Sequence, residues 1–147
     1  MGAIFPDQGV DFFLGVFPRS ACAYGACSLY LGLFTSQTAS AVVTRTQTIA
    51  DITEPTAGVS AYDRQRLSAS NWGAPSTSGA GRKVSHSQVT FPTAGGAWGT
   101  INGFFVATAC SSGSMLYQSN FDDQTPITVN NGDVVKVTPA MTLSGSA

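Results

Sequence analysis

The chain has 147 residues, enough for one domain with a sizeable core. Lys and Arg total 7 against 8 Asp and Glu, and only 10% of residues are charged, where an ordinary soluble domain has roughly 25%. This excludes the dense cationic face that phosphate neutralisation needs, so nucleic acid is not an expected partner, and so neutral a surface favours life in an assembly.

Residues 1–18 lack the basic start of a secretory signal, and Asp7 and Asp11 interrupt their apolar run. No stretch reaches the roughly 18–20 apolar residues of a membrane span. A soluble chain made in a cytoplasm is expected, with no membrane partner. Residues 1–26 read as an N-terminal arm or short helix, and residues 27–147 as a β-domain. Within the arm, Asp11 can cap a short helix that Pro18 would stop, although Gly15 weakens it and a buried strand is the alternative. Phe12, Phe13, Leu14 and Phe17 need a partner surface in either case, in the core or on a neighbouring subunit.

Cys27 to Thr35 is the first clear strand, with Leu29, Leu31 and Leu33 on one face and Tyr30 and Phe34 on the other. Both faces read as buried, which predicts a central strand, and Gly32 leaves room for a bulky neighbour. Ser36 to Ser60 reads as a long surface excursion with one short strand and a turn at Glu54-Pro55. Ala61 to Ser68 is an edge or interface strand, with Tyr62, Arg64 and Arg66 on one face. Its arginines can discourage stray pairing or grip a partner's carboxylates. Trp72 follows as an anchor against the sheet, and Ala74 to Gly81 has the composition of a flexible linker.

Lys83 to Phe91 is the third strand, with His86 in a polar surface row. Thr100 to Ala109 is the fourth strand and the centre of the sheet, hairpin-paired with Met115 to Phe121. Pro126 to Val129 and Asp133 to Val137 flank Asn130-Asn131-Gly132-Asp133, a strong hairpin signal. Ala140 to Leu143 finishes the last strand. The expected core is Leu29, Leu31, Leu33, Phe91, Ile101, Phe105, Leu116, Tyr117, Phe121, Val135 and Val137.

No catalytic arrangement emerges. His86 is the single histidine, there is no G-x-S-x-G elbow, and no Gly-rich piece ends in a phosphate-loop Lys-Ser/Thr. Cys22, Cys27 and Cys110 are an odd set of thiols that reads as small buried hydrophobes. With His86 they fall short of a zinc site, and Asp122, Asp123 and Asp133 lack the order of a calcium loop. No metal, no cofactor and no enzyme activity are expected. A carbohydrate-binding module is a live alternative, with Trp72, Trp98 and Tyr62 as its stacking platform.

Several runs together resemble a widespread group of small tailed-phage virion proteins. They are L-Y-L-G-L-F-T, A-Y-D-R-Q-R-L, V-T-F-P-T-A-G-G-A-W-G-T-I, G-S-M-L-Y and V-N-N-G-D-V-V-K-V-T-P-A. The group's counterparts read L-Y-V-G-L-F-T, G-Y-A-R-x-x-L, I-T-F-P-T-A-x-x-x-W-G-T-V, G-x-L-L-Y and V-x-x-G-D-x-x-x-V-x-x-G. The resemblance spans Ser28 to Leu143. The chain departs at Asp63 and Gln65, where the group has small or apolar residues, and at Thr138-Pro139, where it has Gly. The resemblance implies a virion structural protein, of capsid-decoration (cement) or tail-fibre type.

The resulting expectation is an all-β protein, a single antiparallel β-sandwich or its jelly-roll form, with an apolar N-terminal arm. It would sit on the capsid surface as a homotrimeric cement protein bound to the major capsid protein, or else in the tail, neck or fibre. Phe12, Phe13, Leu14, Phe17, Arg64, Arg66 and Trp72 are the candidate partner contacts.

Overall fold

The computed structural model of the chain describes residues 28–37, 48–56, 61–79, 81–121 and 126–144. The expected arm, with Phe12, Phe13, Leu14 and Phe17, lies outside them, as do Cys22, Cys27, Asp122 and Asp123. The described strands are β1 (Leu29–Phe34), β2 (Ser36–Gln37), β3 (Ile52–Thr53), β4 (Gln65–Leu67), β5 (Ser76–Ser78), β6 (Gly81–Ser85) and β7 (Val89–Thr90). They continue with β8 (Gly99–Ile101), β9 (Gly103–Ala107), β10 (Met115–Asn120), β11 (Ile127–Val129), β12 (Lys136–Val137) and β13 (Ala140–Ser144). Every ladder between them is antiparallel.

The largest sheet has four strands in the order β10-β9-β1-β4. Pairing sets Leu33 opposite Phe104 and Leu31 opposite Val106. These side chains share one face and enter the main core with Leu67, Trp72, Val84, Phe91, Trp98, Ile101, Val129, Val137 and Met141. That core gathers the inner faces of the short sheets, so the architecture is an all-β sandwich. On the other face Phe34, Phe105 and Ala107 form a smaller cluster with Ile49, Ile52 and Met115. The apolar character of β1 on both faces is thus the mark of a strand covered on both sides. Gly32 sits opposite Phe105 in the register, and the Phe105 ring fills the space a Cβ would take.

Several expected elements differ, each for a visible reason. The strand expected over Thr100 to Ala109 is cut at Asn102. β8 pairs with β11, whereas β9 pairs with β1 and β10. The side-chain amide of Asn102 donates to Thr35 O and its backbone N–H to Phe34 O at 2.9 Å, which fixes the corner. The strand expected over Lys83 to Phe91 divides likewise, β6 joining β13 and β5 while β7 joins β12. The Asn130–Asp133 turn forms, with Gly132 at φ 91° and Asp133 N–H on Asn130 O at 3.1 Å. It does not close a hairpin, because β11 and β12 pair with β8 and β7 rather than with each other.

The Ala74 to Gly81 linker is instead the β5–β6 hairpin, pairing Ser76 with Lys83 and Ser78 with Gly81. Small hydroxyl side chains suit an edge strand as readily as a linker, and composition does not separate the two. Leu116, expected in the core, is 39% exposed. The ladder shifts between Met115 and Tyr117, so Leu116 is the extra residue of a bulge and turns outward. Tyr117 and Phe121 pack against the core but are only partly buried.

Gly32→Ala should destabilise the fold by at least about 1–3 kcal/mol in denaturant unfolding, the range for overpacking a core. Adding Phe105→Leu should restore part of that loss, since it removes the ring that the new methyl meets.

Candidate functional site

The polar cluster on which the described chain converges is built from β1, β3 and the approach to β4. Pairing of Ser36 with Thr53 folds β3 back beside the end of β1, and Glu54 follows β3 directly. Tyr62 and Arg64 arrive just before β4, after Ala61 has turned through a positive φ of 58°. The Arg64 guanidinium pairs with Glu54, Nη2 to Oε1 at 2.5 Å and Nε to Oε2 at 3.1 Å. Its Nη1 donates to Ala109 O and Ser112 O, both at 2.8 Å, and so ties down the β9–β10 turn. The Arg64 Cζ stands 5.0 Å from the centre of the Phe105 ring. A planar, multi-donor cation is the side chain that can make all these contacts at once.

Tyr62 completes the cluster. Its hydroxyl donates to Glu54 Oε2 at 2.8 Å and accepts the Leu33 N–H at 2.9 Å. The last ladder pair of β1 with β4 is Leu31 with Gln65, so the hydroxyl takes the place of the next strand partner. Burial, then the negative charge of Glu54, push the phenol far above its ordinary pKa. Tyr62 therefore stays protonated and keeps donating.

Arg64, expected on an exposed edge face, is only 8% exposed, and its donors are engaged within the chain. Arg66, on β4, is exposed. The buried residues run Tyr62, Arg64, Leu67, with a three-residue last step, because regular pairing starts only at Gln65. Trp72 is buried against His86, ring centres 5.1 Å apart and edge to face. That makes it the anchor expected of it, and closes it to a partner. His86 itself, expected on the surface, is 4% exposed, with Nε2 at 3.2 Å from Ser68 O and Nδ1 at 2.8 Å from Ser87 O. Tyr62 stacks on Phe91 at 6.1 Å and meets Trp98 edge-on at 5.4 Å. The stacking platform of Trp72, Trp98 and Tyr62 is therefore inside the protein, where no sugar can reach it. Cys110 is exposed rather than buried, since it lies in the β9–β10 turn.

Sequence reasoning missed Glu54, which read as a turn residue before Pro55. The only signal was chemical: a buried arginine requires an acid, and few acids exist in so charge-poor a chain. Among the described residues, no group of three or more His, Cys, Asp or Glu side chains comes together as a metal site. The geometry defines a β-structural module, whose ionisable groups join strand to turn.

The family comparison agrees with that class. The family described as podophage GP4 fiber I protein gp80 matches residues 18–144, and the chain belongs to it. It is thus a tailed-phage structural protein of the virion. No curated protein sequence matches the chain.

Arg64→Ala should cost about 3–5 kcal/mol in denaturant unfolding, because Glu54 is left without its charge partner. Tyr62 adds an alkaline signature. Its folded pKa lies above the unfolded value, so its contribution is full below about pH 10. Above that, the unfolded chain releases the proton and the folded chain holds it, and stability should fall by roughly 1.4 kcal/mol per pH unit. In Tyr62→Phe that part of the slope should disappear from unfolding measured between about pH 9 and 11.

Proposed function

We propose that the chain is a fibre-associated structural component of a tailed-phage virion, acting by assembly rather than catalysis. The match to a podophage fiber family over residues 18–144 carries this reading. It favours the fibre over the cement role on the capsid surface, which rests on the resemblance of the strand motifs. The charge-poor composition suits a protein surrounded by copies of itself. Leu116, Val134 and Leu143 stand exposed and would be covered in such an assembly. We take that assembly to be a homotrimer, with Arg66 and the arm residues Phe12, Phe13, Leu14 and Phe17 as further contacts. Neighbouring virion proteins are the partners in this reading, and the major capsid protein is the partner in the cement reading.

Immunogold labelling of intact virions against this chain separates the two. Gold on the fibres or tail is expected. Gold spread over the whole shell would overturn the fibre reading and put the cement role in its place.

A further inference from the structure

One opening in the surface has a make-up unlike the rest of the chain. A groove of about 370 Å³ is lined jointly by β9 and β10 of the four-stranded sheet and by β6, β12 and β13. This is in the lower part of the roughly 300–1,000 Å³ range of small-molecule sites. Phe104, Tyr117 and Phe121 supply its apolar lining, with the Phe104 and Tyr117 rings 6.2 Å apart and tilted by 36°. Lys83 and Lys136 supply its charge, and hydroxyls such as those of Ser119 and Thr142 complete it. Among the described residues, no Asp or Glu lines the groove. Neither ammonium has an ion-pair partner among them.

In a chain with 7 basic residues, two in one groove whose described lining holds no acid are a notable concentration. Two like charges facing a shared crevice repel, and a bound anion relieves that repulsion. Ammonium groups suit a carboxylate, ring edges and faces suit the apolar face of a sugar, and hydroxyls suit its hydroxyls. A bare inorganic anion would use the lysines and leave the rings idle. A nucleic-acid strand would need a basic track longer than one pair of lysines.

We propose that this groove binds an acidic saccharide, its carboxylate held by Lys83 and Lys136 and its ring packed on Tyr117 and Phe121. The assignment stands on the groove alone and holds wherever on the virion the chain sits. It differs from the buried platform of Trp72, Trp98 and Tyr62 in every residue.

The test is an array of glycans bearing uronic or sialic acids beside their neutral counterparts, read with the full chain. Acid-bearing glycans should be retained and neutral ones not. The strongest hit, titrated by calorimetry, should weaken at least roughly tenfold in the Lys83→Gln/Lys136→Gln double variant, as expected for losing charge-assisted hydrogen bonds. Lys83 is partly exposed and Lys136 exposed, so the double variant should keep the parent's thermal midpoint. Tyr117→Ala should weaken the same titration without abolishing the preference for acid. Equal retention of neutral and acidic glycans, or retention of none, would overturn the assignment. So would inorganic phosphate binding as tightly as the sugar acid, which would reduce the groove to a simple anion site.

Discussion

The ion pair of Arg64 with Glu54, joined by the Tyr62 hydroxyl, is the interaction on which the described structure most depends. It meets three separate needs at one point. Leu33 N–H, beyond the end of the β4 ladder, finds its acceptor in Tyr62. The β9–β10 turn is held through Ala109 O and Ser112 O. The outer face of the sheet over Phe105 is covered by the guanidinium itself. Desolvating two charges cancels much of their attraction, so such a pair adds little net stability over an apolar substitute. Its value here is geometric. The arrangement of the Glu54 and Tyr62 segments that satisfies the arginine also closes the open end of β1.

A second constraint is the sharing of long strand-like runs between sheets. Asn102 separates β8 from β9, and the residues around His86 separate β6 from β7. At each corner the backbone changes partners while side chains on both sides of it enter one core. Ile101 and Phe104 belong to the same cluster although their strands pair in different sheets, and so do Val84 and Val89. Bends of this kind let short strands enclose a core. They also explain why polar groups such as the buried His86 and the half-buried Asn102 recur there. A corner frees backbone groups from the ladder, and those groups need side-chain or backbone partners.

These features bear on the structural role. The strongest charge interaction is turned inward, and many of the outward positions are Ser, Thr and Gly. A surface of that kind recognises neighbours by shape and many small contacts, which become firm when repeated around a closed assembly. The groove with Lys83 and Lys136 is the exception, a place where charge is turned outward with no acid among the described lining residues.

Much of the fold was legible in the sequence, because β-structure leaves a period of two and β1 carries bulk on both faces. The central place of β1 and β9, the Gly32 gap, the β9–β10 hairpin and the anchoring of Trp72 follow from local pattern. The virion class came instead from the resemblance of runs such as A-Y-D-R-Q-R-L to a known family; the buried members of that run are Tyr62, Arg64 and Leu67, while the departing positions Asp63 and Gln65 stay at least partly exposed. Partner choice was not legible. Whether Asn-Gly closes a hairpin depends on β7 and β8, distant in the chain, while the Ser-rich run becomes a strand by pairing with the adjacent β6 and Arg64 meets an acid only ten residues away. A local pattern states which face of a strand is apolar, and it holds no term for which strand lies beside it. Only the tertiary structure decided that Arg64 meets Glu54 and that Lys83 and Lys136 share a groove, since the first needs β3 folded back on β2 and the second needs β6 and β12 brought together by the packing of separate sheets.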